Sequence, residues 1–164
     1  RIMRSRTANW FETKIRYEKM MDDGKQKMVT ELYVVDALSF TEAEASIIEE
    51  MSSYISGEFK VTGISQSTYG EIFFSDIDTD DRFFKVKLQF ITIDEKTEKE
   101  KRSNVIYLVQ AHTLQQAIKN IEEVMSSTMI DYAIVAVQET QIMDVFEHNA
   151  AKKTEIDAKP EYDE

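Results

Sequence analysis

The sequence predicts an α+β fold of two similar β-β-α-β units, in which an antiparallel sheet carries two helices on one face. A repeated pattern leads to this prediction, because residues matching those within 33–53 recur 74 positions further along the chain. Each copy begins with alternating hydrophobicity, which is typical of a half-buried strand. Each copy then has one apolar helical stripe, which needs a sheet to cover it.

The first unit opens with a predicted β-hairpin. Residues 10–17 alternate between two faces by period two, as in a half-buried strand. Asp23 and Gly24 form the expected turn, since glycine accepts a positive φ without a Cβ clash. Residues 29–35 return as a strand that is apolar on both faces in its second half, so we expect it inside the sheet. The face turned towards the helices holds Phe11, Thr13, Ile15 and Tyr17.

A helix is predicted next. Ser39 is a candidate N-cap, and Glu42 three residues later completes a capping box. Ser56 and Gly57 end the helix, and residues 59–74 are expected to be extended. The apolar stripe of the helix consists of Phe40, Ala43, Ile47, Met51 and Tyr54.

The second unit repeats this order of elements. Its return strand spans residues 104–111, and a second capping box joins Thr113 to Gln116. The closing extended segment ends in residues 144–146, which echo residues 71–73. The first strand turns Phe84, Val86, Leu88 and Phe90 towards the helices, and the helix stripe consists of Leu114, Ala117, Ile121 and Met125.

The predicted domain organisation has three parts. Residues 1–8 form a small basic arm, residues 9–147 form a single domain, and residues 148–164 form a charged tail. Two pseudo-repeats, 9–75 and 82–147, make up the domain. The tail resembles in composition the acidic tails with which some single-strand binding proteins recruit partners, although a solvated terminus is the plainer interpretation.

Composition narrows the function classes. The chain has no cysteine, which excludes disulfides, zinc–thiolate sites and thiol catalysis. Its net charge of −11 opposes loose binding to duplex DNA and to anionic membranes. It has no apolar run long enough to cross a bilayer, and its first residues lack the apolar stretch of a secretory signal. We therefore predict a cytoplasmic protein that does not bind membranes.

No cofactor, metal site or catalytic residue is predicted. The two histidines, His112 and His148, have neither cysteines nor suitably spaced carboxylates to complete a metal-binding set. Residues 76–81 resemble the start of a calcium loop, but Asp81 and Lys87 occupy the places that need glycine and glutamate. The chain also lacks a Gly-rich phosphate loop, a Ser-centred elbow and an HExxH motif. We therefore predict that it is not an enzyme, and an enzyme of unrecognised type is the weakest of the alternatives.

The strongest candidate site lies on the sheet face opposite the helices. There an aromatic ring and a lysine occupy equivalent positions of the two opening strands, at a spacing of 73. Rings on an open sheet with cations nearby suit single-stranded nucleic acid, because every base can stack on a ring, for roughly 1–3 kcal/mol. The predicted nucleic-acid-binding residues are Trp10, Lys14, Arg16, Phe83, Lys85 and Lys87.

Alternatives to this hypothesis use the same residues. In these alternatives the rings of Trp10 and Phe83 pack on a second sheet layer, on another protein or on a second copy of the chain. The acidic composition favours the protein-interaction role.

Glu31 is a further candidate for a functional residue, because Val105 occupies its place in the second unit. It is a general base, a partner contact, or, as we favour, a residue at a sheet edge or paired with a lysine. The helical and C-terminal methionines, Met51, Met125 and Met143, are interpreted as core.

Four strings resemble members of a known protein family. They are WFETKIRYEK (10–19), VTELYVVDALSFTEAEA (29–45), ISGEFKV (55–61) and IMDVF (142–146). The family is an uncharacterised domain-of-unknown-function family of gut anaerobic bacteria and their phages, and its recurrent Val-Thr-Glu motif matches residues 29–31. The resemblance covers about residues 8–147. It implies a bacterial or phage cytoplasm, but no activity and no catalytic residues.

Overall fold

The α+β class is confirmed. A computed structural model of the chain describes residues 3–149, which contain nine strands and two helices. In chain order the elements are β1 (Arg4–Thr7), β2 (Trp10–Met20), β3 (Gln26–Asp36), α1 (Phe40–Tyr54), β4 (Phe59–Gln66), β5 (Glu71–Phe74), β6 (Arg82–Ile93), β7 (Glu100–Ala111), α2 (Leu114–Ser126), β8 (Asp131–Glu139) and β9 (Ile142–Phe146). The predicted charged tail after residue 149 and the first two residues of the predicted arm lie outside the described residues.

The chain divides into two compact units. Unit I contains residues 8–67 and 142–149, and unit II contains residues 3–7 and 68–141. These units do not coincide with the two halves of the predicted repeat. The cause is local: β5 follows the unit I strand β4 along the chain yet pairs in unit II, whereas β9 follows the unit II strand β8 yet pairs in unit I.

Unit I is a four-stranded sheet covered by α1. Its strand order is β4-β2-β3-β9, with β2 antiparallel to both neighbours and β9 parallel to β3. The β2–β3 hairpin turns at Gly24, whose φ of 81° is a conformation that glycine tolerates. Helix α1 begins at the predicted capping box. The Ser39 hydroxyl accepts a hydrogen bond from the Glu42 N–H over 3.1 Å, and the Glu42 carboxylate accepts one from the Leu38 N–H over 3.2 Å.

Unit II is a five-stranded sheet covered by α2. Its strand order is β1-β5-β7-β6-β8; β5 is parallel to β7, and the other pairs are antiparallel. Helix α2 begins at the predicted cap, where the Thr113 hydroxyl accepts a hydrogen bond from the Gln116 N–H over 3.1 Å. Strand β1 corrects the prediction of a basic arm, because residues 4–7 pair with β5 in the sheet.

The predicted sheet needs one correction. In place of a single antiparallel sheet with two helices on one face, residues 3–149 form two mixed sheets with one helix each. The two parallel strand pairs match in register, because Tyr33 lies opposite Asp144 in unit I and Tyr107 lies opposite Glu71 in unit II. Hydrophobic alternation identifies a strand but does not specify its partner, so the sequence left the placement of β5 and β9 undetermined.

Each unit has a cluster of buried apolar residues between its sheet and its helix. In unit I, Ile15 of β2 packs with Ile47 and Met51 of α1. The predicted helix stripe is wider than the buried face, since Phe40 and Tyr54 at its two ends are exposed. The buried cluster of unit II contains Val86, Leu88, Val109, Ile121 and Met125.

Candidate functional site

Both aromatic rings of the predicted nucleic-acid-binding face are buried. Trp10 is 1% exposed and Phe83 is 2% exposed, so neither ring offers a surface on which a base could stack. The prediction that these rings project into solvent is therefore wrong. Period-two alternation assigns a side chain to one face of a strand, but it does not determine whether that face is open to solvent.

The four predicted cations divide between the two units. Lys14 and Arg16 are exposed on β2 of unit I. Lys85 and Lys87 are half-buried on β6 of unit II, where the Lys85 Nζ lies 5.7 Å from the centre of the Tyr69 ring. Each pair of cations therefore lies on a single strand, beside a predicted stacking ring that is buried.

A hydrogen-bonded carboxylate lies on the helix-facing side of the unit I sheet. Glu31, on β3, is 9% exposed. Its Oε1 accepts hydrogen bonds from the Tyr17 hydroxyl over 2.7 Å and from the Tyr33 hydroxyl over 3.1 Å. Its Oε2 accepts one from the Lys19 Nζ over 3.0 Å. The predicted pairing of Glu31 with a lysine is confirmed.

These contacts set the ionisation of the cluster. Burial opposes the ionisation of Glu31, but the three donated hydrogen bonds and the charge of Lys19 outweigh it, so the pKa of Glu31 is lowered. Burial, together with the hydrogen bond to Glu31 and its charge, raises the pKa of Tyr17 to about 12. Burial and the Glu31 charge also raise the pKa of Tyr33. At neutral pH the cluster is therefore a carboxylate held by two neutral hydroxyls and one ammonium.

The cluster lines a pocket of about 290 Å³ in unit I, which we call the Glu31 pocket. Tyr33 stacks on Phe146 with 5.7 Å between ring centroids and 20° between ring planes, and Tyr54 lies 6.1 Å from Phe146. Tyr54 is 71% exposed, so part of this aromatic lining is open to solvent. The remaining lining residues are Tyr17, Lys19, Glu31, Met51, Met143 and Asp144.

Strand β9 adds a second carboxylate to the Glu31 pocket. Asp144 lies opposite Tyr33 in the β3–β9 pair. Partial burial raises the pKa of Asp144, although the hydrogen bond from the Val145 N–H acts in the other direction. The neighbouring Met143 is 49% exposed, which corrects its interpretation as a core residue.

Asp36 fastens the end of β9. Its Oδ1 accepts hydrogen bonds from the backbone N–H of His148 over 2.7 Å and of Asn149 over 3.2 Å. The His148 ring also lies 3.5 Å from a Glu49 oxygen and 3.6 Å from a Glu50 oxygen, both on α1. The Asp36 carboxylate is thus a link between β3 and the segment that brings the β9 side chains into the pocket.

Unit II lacks a charged group at the place of Glu31. The hairpin registers define this place, since Ile15 lies opposite Glu31 in unit I and Leu88 lies opposite Val105 in unit II. Val105 cannot accept a side-chain hydrogen bond. The counterparts of Tyr17 and Lys19, at a spacing of 73, are Phe90 and Thr92. The combination of hydroxyls, ammonium and carboxylate is therefore particular to unit I.

A second cleft in unit I has a volume of about 570 Å³. It contains Arg16, one of the predicted site residues, and Lys60, which lies opposite Arg16 in the β2–β4 pair. Glu18 and Glu58 also line this cleft. The two cations are thus balanced by two carboxylates, which makes the cleft less attractive to an anionic polymer than Arg16 alone suggests.

The residues of the Glu31 pocket all fall inside a segment that matches a protein-family model, which spans residues 9–148. The chain belongs to this family, a domain of unknown function (DUF4494). The predicted membership of an uncharacterised domain family is confirmed. No curated protein and no solved structure matches the chain. The DUF4494 segment also includes Asp36 and His148, two of the three residues that link β3 to the end of β9.

The described part of the DUF4494 chain meets the requirements of neither a membrane-spanning helix nor a metal site. Neither helix within residues 3–149 is long and apolar enough to span a membrane. The same residues contain no group of three or more His, Cys, Asp or Glu side chains that could hold a metal ion.

The sequence singled out Glu31 but not its neighbours. Tyr17 and Lys19 share one face of β2 by period two, and Tyr33 shares the face of Glu31 on β3, so the hairpin alone could have brought these four together. Asp144 gave no such signal, because its position depends on the parallel pairing of β9 with β3.

Proposed function

We propose that this protein is a non-catalytic binding protein and that it binds another protein at the Glu31 pocket. The observation that carries the proposal is the charged, hydrogen-bonded Glu31 in an accessible, partly aromatic pocket, where unit II has Val105. A polar network of this kind is costly to bury unless its groups are satisfied. Its presence in one unit alone favours a role in recognition over a role in folding.

A binding role suits the cluster better than catalysis. A general base works best with a pKa near the working pH. The pKa of Glu31 is lowered instead, and both carboxylate oxygens already accept hydrogen bonds. Glu31 is therefore a weak base with a fixed position, as a residue that orders a binding surface should be.

A protein is a better ligand for this pocket than a nucleic acid. The pocket combines exposed aromatic surface with two carboxylates, and tyrosine is enriched among the residues that dominate protein interfaces. A polyanion would meet repulsion from Glu31 and Asp144 and from the net charge of −11. The exposed Tyr54 and Met143 supply apolar contact area at the edge of the pocket.

Single-stranded nucleic acid is the second candidate ligand. The exposure of Lys14 and Arg16 favours it, since both can contact phosphates without the buried rings. Titration of labelled single strands at low and moderate salt tests this candidate. We expect weak binding at most; tight, salt-sensitive binding that is lost in a Lys14→Ala, Arg16→Ala variant would favour nucleic acid over a protein ligand.

The proposed setting is the cytoplasm of a bacterium or of a phage-infected cell. The resemblance of the strings quoted above, including the Val-Thr-Glu motif at residues 29–31, supports this setting. The motif ends at Glu31, so we propose that it marks the binding pocket. Genes that neighbour those of the family provide the test, since phage or bacterial operons are expected around them.

Site-specific photo-crosslinking tests the proposed function. A photoreactive phenylalanine analogue at position 143 lies at the Glu31 pocket, and the same analogue at position 129 is a control in unit II, where Met129 is fully exposed. In the native host we expect a defined protein adduct from position 143 and none from position 129. An adduct that forms equally from both positions, or from neither, would contradict the proposal.

A further inference from the structure

We infer that the Glu31 pocket accepts the guanidinium group of an arginine side chain, presented by the partner protein. This inference rests on the proposed binding function and names the chemical group that enters the pocket. Four properties of the lining support it: its volume, its ring surface, the free acceptor sites on one of its two carboxylates, and its net charge.

The volume suits one side chain. Pockets for drug-sized ligands span roughly 300–1,000 Å³, and the Glu31 pocket, at about 290 Å³, lies just below that range. A single long side chain that enters from the exposed Tyr54 edge therefore suits this pocket better than a larger ligand does.

The rings suit a planar cation. The Phe146 ring pairs with the Tyr33 ring and with the Tyr54 ring. Tyr54 is exposed, so a ligand can reach its ring. A cation within about 6 Å of a ring centroid is attracted by the ring quadrupole. Guanidinium is planar and weakly hydrated, so it stacks on such a surface more readily than an ammonium does.

The two carboxylates are used unequally. Glu31 already accepts hydrogen bonds from three side chains. Within residues 3–149, the Asp144 carboxylate accepts one hydrogen bond, from the Val145 N–H, and has no cation as an ion-pair partner. Asp144 therefore retains acceptor sites for a ligand, and guanidinium can donate two parallel hydrogen bonds to a carboxylate.

The charge of the lining has the sign that this ligand requires. Two carboxylates, Glu31 and Asp144, stand against one ammonium, Lys19, which leaves one net negative charge. Partial burial disfavours the ionised form of Asp144, and an incoming cation would relieve that effect. The network around Glu31 would hold the rings and Lys19 in place while Asp144 meets the guanidinium.

The experiment uses the full chain with isotopically labelled methionine methyl groups. The probe is N-acetyl-arginine methylamide, and its control is the citrulline analogue, which has nearly the same shape but no charge. Met51 and Met143 report on the pocket, whereas Met125 reports on the core of unit II. We expect saturable shifts at Met51 and Met143 with the arginine probe, at least about tenfold weaker binding of the citrulline probe, and no shift at Met125.

Variants complete the test. Asp144→Asn should weaken binding of the arginine probe by about tenfold, whereas Glu71→Gln, at the matching place of unit II, should leave it unchanged. Equal binding of the two probes to the unaltered chain, or no binding of either at millimolar concentration, overturns the inference whether or not the variants fold. A partner adduct at position 143 together with either of those results leaves the proposed function standing and removes arginine as the recognised group.

Discussion

The Tyr17 hydroxyl donates a hydrogen bond to Oε1 of Glu31 over 2.7 Å, between two adjacent strands of the unit I sheet. Tyr33 donates to the same oxygen and Lys19 to the other, so the carboxylate is held from three sides. The result is an ionised group held in one position in the lining of a pocket whose rings come from β2, β3, α1 and β9. Stability measurements and binding measurements should therefore respond differently to changes at each member.

Replacing Glu31 by glutamine should destabilise unit I. The amide keeps the volume but loses the charge to which two hydroxyls and Lys19 donate, which should lower the free energy of unfolding by about 1–3 kcal/mol. Urea unfolding followed by the fluorescence of Trp10, the single tryptophan and a residue of unit I, measures this loss. Glu71→Gln in unit II is the control. Equal urea midpoints for Glu31→Gln and the unaltered chain would contradict the expectation.

The stability supplied by Glu31 should depend on pH with a definite sign. The pKa of Glu31 in the folded chain is below its ordinary value of 4.5, so its contribution is complete above that value. It is lost as the pH falls through the lowered folded pKa. The difference between the unaltered chain and Glu31→Gln, measured in urea from pH 7 downwards, should hold to about pH 4.5 and then shrink. A difference that grows on acidification would refute this account.

Asp144→Asn should have the opposite effect on stability. The pKa of Asp144 is raised above 3.8 by partial burial, so its ionisation costs stability at neutral pH and costs nothing once it is protonated. The asparagine variant keeps the oxygen that accepts the Val145 N–H. Because the Asp144 side chain is exposed and solvent screens its charge, we expect a gain in stability at pH 7 of less than about 0.5 kcal/mol, absent below pH 3.8. A less stable variant at neutral pH would show that Asp144 has a structural partner.

Asp36→Ala should release the end of β9. The carboxylate accepts hydrogen bonds from the backbone N–H groups of His148 and Asn149, and its removal leaves these partly buried donors without that acceptor. We expect much faster hydrogen exchange at the Val145 and Phe146 amides, where β9 pairs with β3. The amides of β5, the parallel strand of unit II, serve as the internal reference and should be unaffected. Unchanged exchange in β9 would show that the β3–β9 pairing needs no such link.

Much of the local structure followed from the sequence, because local rules determine it. Alternation predicted the face assignments of β2 and β6, and the caps at Ser39 and Thr113 predicted where the helices begin. Three things depended on tertiary pairing instead. These were the burial of Trp10 and Phe83, the placement of β5 and β9, and the approach of Asp144 to the hairpin. A pattern along one strand does not specify what covers it or which strand lies beside it.

The candidate site was accessible to sequence reasoning only in part. The contrast between Glu31 and Val105 was visible as a mismatch between the two units, and it led to the pairing with a lysine that the structure has. The aromatic lining was not visible in the same way, because Phe146 reaches the pocket on a strand that follows unit II along the chain. Alternation along the strands predicted exposed rings on the sheet face opposite the helices, whereas the exposed ring of the pocket, Tyr54, belongs to α1.

The most direct test of the central claim gives the Glu31 pocket the residues of unit II. A triple variant, Tyr17→Phe, Lys19→Thr and Glu31→Val, copies Phe90, Thr92 and Val105. The variant removes Glu31 together with two of its three donors, and Tyr33 keeps a hydroxyl, as Tyr107 does in unit II. Removing both partners of a buried polar contact is often neutral or stabilising, so the variant should fold. With the photoreactive analogue at position 143, we predict that this variant keeps its melting temperature but loses the partner adduct. An adduct of undiminished yield from the folded variant would contradict the claim that this pocket is the binding site.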